Sequence, residues 1–266
     1  MLKITSLQNG KVKEAVALRD RREREKTGFF LIEGYRELKR ALDAGRKIET
    51  LFICPELFLG ENERELIEKA DGQILSCSKE VFAKISYRDR PDGLIAIAKQ
   101  LHLSLSDLKL GAVPFLLIAE SIEKPGNLGT ILRSADAAGV DAVIVCDPTT
   151  DIHNPNVVRS SVGTLFTLPV LEADGEETLA FMKERHIALV AATPRGKMEF
   201  TQADLTVPLA IVVGSEQYGL SENWMKEAEL AVRIPMFGAA DSLNVASATT
   251  LLLYEVLRQR RNFILR

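Results

Sequence analysis

Three separated stretches in the second half of the chain carry polar residues suited to binding a ligand. They are residues 123–133 (EKPGNLGTILR), 213–220 (VGSEQYGL) and 234–246 (IPMFGAADSLNVA). Each follows a short apolar run and is rich in Gly, Asn or Ser, which indicates a loop at the end of a strand. Because α/β proteins usually bind ligands at strand ends, the three stretches predict one shared site.

The first stretch places Asn127, Gly129 and Arg133 where a strand gives way to a helix. Free N–H groups at the start of a helix can hold an anion. Arg133, two turns further on, can add a charge-assisted hydrogen bond to phosphate. The same residues also fit a plain turn followed by a surface ion pair, so this stretch alone leaves both interpretations open.

The second and third stretches add groups that can face the same crevice. Gly214 ends an apolar strand, where glycine lets the main chain approach a flat ligand, and Glu216 can accept hydrogen bonds from an amine or hydroxyl. Ser242, Leu243 and Asn244 begin the last helix. A strand-ending turn with an exposed Glu, and a simple Ser helix cap, would have the same sequences.

Residues 151–170 contain an Asn-Pro pair, which favours a turn before a short helix. Arg159 lies in that helix and is followed by small residues that allow close approach of the backbone. Packing against a neighbouring element explains the small residues, while the role of Arg159 stays open.

Cysteine and histidine residues are dispersed singly along the chain. They are Cys54, Cys77, Cys146, His102, His153 and His186. Their spacing lacks the pairs typical of zinc sites and disulfide frameworks. We therefore expect reduced cysteines in the core and no metal site.

Charge is unevenly distributed. The formal net charge is -3, which argues against nonspecific coating of nucleic acid. Residues 1–47, however, carry thirteen Lys or Arg against seven Asp or Glu. Their densest basic cluster consists of Arg19, Arg21, Arg22, Arg24 and Lys26. This cluster predicts either a phosphate-binding patch or a solvated helix face with local ion pairs.

The overall composition is that of a globular protein. Hydrophobic residues make up 46% and charged residues 27% of 266, which excludes disordered and fibrous classes. The N-terminal residues lack the apolar core of a signal peptide, and no run approaches the roughly 18 apolar residues of a membrane span. A cytoplasmic protein is the expectation.

Two series of strands and helices must position these residues. The first contains a charged helix over residues 11–26, a buried strand FFLIEG, an amphipathic helix ending at Gly45, and the strands IETLFIC, QILSCS and LIAIA. The second begins at Pro114 with PFLLIAE and continues with AVIVC, IALVAAT, LAIVVG and ELAVRIP. These runs are apolar on both faces, which predicts a mainly parallel sheet, and residues 242–261 predict a closing helix.

In this order and spacing, NLGTILR, IVVGSEQYGLS and IPMFGAADSLNVASATTLLLYE resemble the motifs of the SpoU/TrmH family of RNA ribose methyltransferases, in the SPOUT superfamily. GFFLIEGYRELKRALDAG resembles the small ribosomal-protein-like RNA-binding domain of the rRNA-directed members. The resemblance implies an α/β RNA-binding domain over residues 1–105, a linker over 106–113, and a trefoil-knotted α/β methyltransferase domain over 114–266.

The resemblance also implies S-adenosylmethionine as cofactor, a homodimer, and methyl transfer to a ribose 2'-hydroxyl of RNA, with large-subunit rRNA favoured by the separate N-terminal domain. The implied cofactor-binding residues are Thr193, Pro194, Gly214, Ile234 and Leu243. The implied transfer-site residues are Asn127, Arg133, Glu216, Ser242 and Asn244. The residues expected to bind RNA are Arg19, Arg21, Arg22, Arg24, Lys26, Arg36 and Arg159.

Three other functions compete with this one. A nicotinamide-dependent oxidoreductase would need a strand leading into GxGxxG, which the sequence lacks. A noncatalytic RNA-binding or ribosome-assembly protein on the same fold and a tRNA 2'-O-methyltransferase stay open. Cofactor binding and the choice of RNA would separate these functions.

Overall fold

The computed structural model describes residues 3–264, with side chains described as far as residue 261. The chain forms two compact units. The first comprises the residues up to Leu101 together with Asp151–Thr167, and the second comprises His102–Thr150 and the residues from Leu168 onward.

The first unit is built on a five-stranded mixed sheet, in the order β1-β4-β3-β5-β2. Its strands are β1 (Lys3–Ile4), β2 (Phe29–Glu33), β3 (Ile48–Ile53), β4 (Gln73–Cys77) and β5 (Leu94–Lys99). Its helices before Leu101 are α1 (Gly10–Ala17), α2 (Arg21–Thr27), α3 (Tyr35–Asp43), α4 (Glu63–Lys69) and α5 (Lys79–Ile85). β5 is antiparallel to β2 and β3, whereas the other pairs are parallel.

The predicted charged helix over residues 11–26 is two helices. The side chain of Asp20 accepts a hydrogen bond from the backbone N–H of Arg22 and so caps α2. Leu18, at the end of α1, is buried in the core. An N-cap residue that also has extended backbone cannot continue the preceding helix, which explains the break.

The second unit contains a seven-stranded sheet in the order β10-β12-β9-β11-β6-β7-β8, and all neighbouring strands pair in parallel. The strands are β6 (Phe115–Glu120), β7 (Ala142–Cys146), β8 (Val170–Ala173), β9 (Ala188–Ala192), β10 (Met198–Glu199), β11 (Leu209–Val213) and β12 (Leu230–Arg233). The remaining helices of the chain are α6 (Pro125–Ala138), α7 (Pro155–Ser160), α8 (Gly175–Glu184), α9 (Glu222–Glu227) and α10 (Val245–Ile264), of which α7 belongs to the first unit.

Burial explains why the parallel sheet was recognisable. Every residue of β6, β7 and β11 is buried, as expected for strands covered by helices on both faces. The predicted α/β class, with a mainly parallel sheet in the second half and a smaller α/β domain before it, is confirmed.

The compact units differ from the predicted ranges 1–105 and 114–266, because residues 151–167 belong to the first unit. His153 packs edge-on against Phe30, with ring centroids 4.8 Å apart, and its Nε2 accepts a hydrogen bond from the backbone N–H of Leu101 at 3.0 Å. The predicted linker also packs, since Leu105 and Leu108 are buried in the core of the second unit.

The last helix begins at Val245 rather than at Ser242. Asn244 accepts a hydrogen bond from the backbone N–H of Ala246 at 3.0 Å, so Asn244 and not Ser242 satisfies the first turn. The three cysteines are buried and free, as predicted, and burial raises the pKa of Cys146 to about 12. Among the helices of residues 3–264, none has the length and apolar character that crossing a membrane requires.

Candidate active site

The loops that follow β9, β11 and β12 and precede α10 enclose a crevice of about 820 Å³ in the second unit. All five predicted cofactor-binding residues line it: Thr193, Pro194, Gly214, Ile234 and Leu243. Three of the five predicted transfer-site residues, Glu216, Ser242 and Asn244, line it as well. Since the strands are parallel, their carboxyl ends bring together loops that lie far apart in sequence.

The loop after β11 requires glycine at its first position. A Cβ atom at Gly214 would lie 2.2 Å from the carbonyl carbon of Gly219, so a side chain there would force the loop apart. Ser215 and Gly219 exchange two backbone hydrogen bonds, of 3.1 and 3.0 Å, and Gly219 has a φ of 71°. The loop is therefore a closed turn whose main chain forms one wall of the crevice.

Glu216 joins the second stretch to the first. Its carboxylate accepts hydrogen bonds from the backbone N–H of Glu123 at 3.0 Å, the backbone N–H of Lys124 at 3.3 Å and Nδ2 of Asn127 at 2.6 Å. Burial acts to raise the pKa of Glu216, but these hydrogen bonds outweigh it and lower the pKa. Glu216 is thus an ionised group that fixes the beginning of α6.

Asn127 joins the first stretch to the third. Its Oδ1 accepts a hydrogen bond from Nδ2 of Asn244 at 3.2 Å, while its own Nδ2 donates a hydrogen bond to the carboxylate of Glu216. Asn127 does not itself line the crevice, and its side chain lies between two residues that do. One chain of hydrogen bonds, Glu216–Asn127–Asn244, therefore links all three stretches that the sequence singled out.

Arg133 and Ser242 stand outside this network. Both are exposed, and Arg133 lies on α6 beyond Asn127 without lining the crevice. Within the part of the chain that the structure describes, the Arg133 guanidinium has no hydrogen bond or ion pair, so the predicted alternative of a surface ion pair has no partner here. Its charge is available to an anionic ligand.

The basic cluster of the first unit is mixed in character. Arg21 pairs with Glu25 at 2.7 Å and Lys26 with Glu23 at 3.6 Å, as expected for a solvated helix face. Arg22 is exposed. Arg19 was also predicted to bind RNA, but it is half-buried and donates hydrogen bonds to the backbone carbonyls of residues 84 and 86, so we do not retain it in the proposed RNA-binding set.

The prediction that Arg24 binds RNA is wrong, because a residue that binds RNA has to be accessible and the Arg24 side chain is only 1% exposed. It pairs with Asp151 through Nε at 3.2 Å and a second guanidinium nitrogen at 2.6 Å. It also donates to the carbonyls of Leu18 and Arg19 at the end of α1. A group with its donors engaged in the core is structural rather than phosphate-binding.

Sequence reasoning missed Glu120, the last residue of β6. It is buried, and its Oε2 accepts a hydrogen bond from the backbone N–H of Ser221 at 2.9 Å, which closes the far end of the loop after β11. The signal was present: a single charged residue ends the apolar run PFLLIAE. A buried carboxylate at that position needs a donor, and the loop supplies one.

We expect Glu216→Gln to lower the free energy of opening of α6 by about 1–2 kcal/mol at neutral pH. The side-chain NH2 of glutamine would replace one of the two acceptor oxygens and would face a backbone N–H group, which is also a donor. The contact is partly exposed to solvent, which limits the size of the effect. Amide hydrogen exchange along α6 measures the change. The folded-state pKa of Glu216 lies below its ordinary value of 4.5, so its stabilisation is complete above that pH and is lost as pH falls through the folded pKa.

The difference between wild type and Glu216→Gln should therefore shrink in acid. Glu222→Gln is the matched control, because Glu222 is an exposed carboxylate that lines the same crevice. Equal exchange rates in wild type and Glu216→Gln at neutral pH would contradict the role assigned to Glu216.

Comparison with known proteins gives a consistent result over both units. Residues 114–254 match the SpoU rRNA Methylase family, and residues 9–96 match the MRM3-like substrate binding domain. A 23S rRNA (uridine(2479)-2'-O)-methyltransferase of Streptomyces viridochromogenes is 30% identical to this chain over 250 residues, covering 91% of this chain and 87% of the relative.

Solved structures resemble the chain over nearly its whole length. A crystal structure of an RNA 2'-O ribose methyltransferase is 42% identical, with a TM-score of 0.88, and covers 98% of this chain and 100% of its own. The SpoU methyltransferase AviRb of Streptomyces viridochromogenes in complex with AdoMet is 30% identical, with a TM-score of 0.89, over 96% of this chain and 99% of its own.

Proposed function

The chain belongs to the SpoU rRNA Methylase family, and from this premise we propose that it transfers a methyl group from S-adenosylmethionine to a ribose 2'-hydroxyl of large-subunit rRNA. The observation that carries the proposal is the hydrogen-bonded chain Glu216–Asn127–Asn244, whose two end residues line the crevice. Membership of a fold alone would not imply retained activity, whereas an intact network of this kind supports it.

The crevice suits the cofactor in size and chemistry. Its volume lies within the range of about 300–1,000 Å³ that is usual for ligand pockets. Backbone groups after β9 and β11 can bind the polar edges of an adenosine, and Ile234 and Leu243 offer apolar contacts to its faces. When bound, S-adenosylmethionine supplies an electrophilic methyl group on its sulfonium.

Positioning is the largest contribution that the protein can make to this reaction. Alignment of two bound reactants can supply roughly 7–11 kcal/mol of barrier reduction. Glu216 and Asn127 hold the start of α6 against the loop after β11, and Asn244 holds the start of α10. The elements that would hold the two reactants are therefore fixed to one another by these hydrogen bonds.

The hydroxyl proton has to leave as the new C–O bond forms. Glu216 is a poor acceptor for it, because both carboxylate oxygens already accept hydrogen bonds and its pKa is lowered. Arg133 is a poor base as well, since the pKa of arginine exceeds about 12. We assign to Arg133 the binding of the RNA phosphate and the stabilisation of the developing 2'-oxyanion, with the proton leaving to solvent.

The remaining features of the proposal concern partners and location. We propose a homodimer that contacts its second copy through α10, where Leu251 and Tyr254 are exposed apolar residues three positions apart on one face. Five basic residues are proposed to bind RNA: Arg21, Arg22, Lys26, Arg36 and Arg159. We also propose a cytoplasmic location, which an rRNA substrate supports.

Transfer of labelled methyl from S-adenosylmethionine to separated, unmodified rRNA and tRNA tests the function. We expect label at one rRNA nucleotide, resistance of that position to alkaline cleavage, and no label when the RNA carries a 2'-deoxyribose there. Label confined to tRNA would favour the tRNA enzyme, and label on a base would reject ribose methylation. Absence of cofactor binding would favour the noncatalytic RNA-binding protein.

A further inference from the structure

The first unit contains its own cavity, of about 490 Å³, distinct from the crevice between the strand ends of the second unit. We call it the first-unit cavity. It is lined by the start of α3, the loop before α4, residues 88 and 92, and residues 159 and 162. Its size again falls within the usual range for ligand pockets, of about 300–1,000 Å³.

Three buried polar atoms of residues that line this cavity have no hydrogen-bond partner within the described residues. They are Oε2 of Glu63, Oδ1 of Asp92 and Nε of Arg88. Glu63 is 4% exposed and Asp92 8% exposed. Most buried polar groups in proteins are hydrogen-bonded, so three exceptions around one cavity indicate that a polar ligand completes them.

Both carboxylates are held in place through their other oxygen. Oε1 of Glu63 accepts hydrogen bonds from the backbone N–H groups of Leu59 at 3.1 Å and Gly60 at 2.9 Å. Oδ2 of Asp92 accepts a hydrogen bond from the backbone N–H of Tyr35 at 2.8 Å. Each carboxylate thus offers one fixed acceptor, which is the arrangement expected of a preorganised site.

Arg88 supplies a donor beside these acceptors. Its guanidinium donates to the carbonyl oxygen of Glu33 at 2.7 Å and to Glu37 at 2.6 Å, and lies 3.7 Å from Asp92. These contacts fix the guanidinium and leave Nε unpartnered. The residues that line the first-unit cavity therefore carry two unpartnered acceptor oxygens and one unpartnered donor nitrogen.

One residue that lines the cavity has a strained backbone. Val162 lines the cavity with a φ of 54°, a region that β-branched residues rarely adopt. Its carbonyl oxygen accepts a hydrogen bond from Arg40, and the next residue is Gly163, where a Cβ atom would lie 2.9 Å from the Cα of Glu37. Strain maintained by surrounding contacts is common at ligand sites and is a second reason to assign one here.

Positive charge lies at the edge of the cavity. Arg36 and Arg159 both line it, both are exposed, and neither side chain has a hydrogen bond or ion pair among the described residues. Free guanidinium groups bind phosphate oxygens with paired hydrogen bonds. This distribution of polar and charged groups suits a ligand that has a hydrogen-bonding group to enter the cavity and a phosphate group that stays at the surface.

We propose that the first-unit cavity binds an unpaired, amino-bearing nucleobase of the RNA substrate, namely cytosine, adenine or guanine. The amino group would donate to Glu63 and Asp92, a ring acceptor would face Arg88, and the flanking phosphates would contact Arg36 and Arg159. Carboxylates read amino groups of bases, and proteins recognise RNA sequence mainly through unstacked bases. Uracil, which has no amino group, fits less well. This inference rests on the proposed function, because it names a base of the same RNA.

Binding of CMP, AMP, GMP and UMP to the full-length protein, measured by calorimetry and ligand-detected NMR, tests the cavity without catalysis. We expect UMP to bind most weakly. Glu63→Gln keeps an oxygen for Leu59 and Gly60 and replaces the unpartnered oxygen with an N–H donor, so it should weaken binding of the three amino-bearing nucleotides about ten-fold or more. Glu65→Gln, on the exposed side of α4, is the matched control and should change nothing.

Methylation of rRNA then tests whether the ligand belongs to the substrate. Glu63→Gln should raise KM for rRNA and leave kcat unchanged. Equal affinity for UMP, absence of nucleotide binding, or unaltered affinity in Glu63→Gln would overturn the proposal. Weakened nucleotide binding with unchanged KM would assign the cavity to a free nucleotide and overturn the assignment to RNA.

Failure of the cavity assignment and failure of the proposed function give different results in these two assays. If wild type methylates rRNA but binds no nucleotide, the cavity assignment fails and the proposed function stands. If no RNA is methylated but nucleotide binding weakens in Glu63→Gln, the proposed function fails and the nucleotide site stands. Should Glu63→Gln not fold, Asp92→Asn makes the same acceptor-to-donor change, because its remaining oxygen can still accept from Tyr35.

Discussion

Lysine in place of Arg133 is expected to lower kcat for methyl transfer about 10²-fold while the Kd of S-adenosylmethionine is unchanged. The loss of a single preorganised donor to a developing oxyanion typically lowers kcat by about 10²–10³. Lysine keeps the positive charge but loses the planar fork that binds phosphate and oxyanion together. Methyl transfer under saturating rRNA measures kcat, and calorimetry with the cofactor measures Kd.

The structure explains why kcat should fall while the Kd of S-adenosylmethionine stays the same. Arg133 is exposed on α6, does not line the crevice, and lies two turns beyond Asn127, whose hydrogen bonds it does not share. Replacing it should therefore disturb neither the cofactor site nor the stability of the second unit. Arg185→Lys is the matched control, because the Arg185 guanidinium stacks over Phe181 at 5.0 Å, away from the crevice.

The dependence of kcat on pH distinguishes stabilisation of charge from proton abstraction. If Arg133 were the base, lysine, with an ordinary pKa of about 10.4, would lose its proton more easily and activity would recover at high pH. If Arg133 binds phosphate and oxyanion, the loss should persist across the pH range in which lysine stays charged. Near wild-type turnover in Arg133→Lys, or recovery at high pH, would contradict the assigned role.

The site could be located from sequence because its parts sit at predictable places. Apolar runs such as β6, β7 and β11 can be recognised in the sequence as buried parallel strands. The residues that follow parallel strands lie at one edge of the sheet. What periodicity does not encode is which strands are neighbours. The order β10-β12-β9-β11-β6-β7-β8 is known only from the structure. The trefoil knot was expected from the family resemblance alone, and general rules of chain connection would have argued against one.

The predicted domains missed the return of residues 151–167 to the first unit for a different reason. The segment contains apolar residues that are buried, such as Val157, Val158 and Phe166, but no local pattern shows against which sheet they pack. Its contacts within the first unit include the rings of His153 and Phe166 against Phe30, and Asp151 against Arg24. A charged residue that finds its partner 127 positions away is invisible to a local charge pattern.

Because of that long-range pair, loss of the Arg24 side chain should strongly destabilise the first unit. We expect Arg24→Ala to lower the free energy of opening of the first unit by about 3–5 kcal/mol, because Asp151 would be left buried without its partner. The carbonyls of Leu18 and Arg19 would lose their donor as well. Native-state amide hydrogen exchange in β2 and β5 measures the change for this unit by itself, which a single unfolding curve of two units would not.

Two further variants decide whether the effect arises from the ion pair. Arg22→Ala, on the exposed face of the same helix, should leave exchange in β2 unchanged and instead reduce the salt dependence of RNA binding. Arg24→Met combined with Asp151→Leu should recover much of the lost stability, because replacing both members of a buried pair by apolar residues removes the uncompensated charge. Exchange in Arg24→Ala that matches exchange in Arg22→Ala would show that the buried pair contributes little to the stability of the first unit.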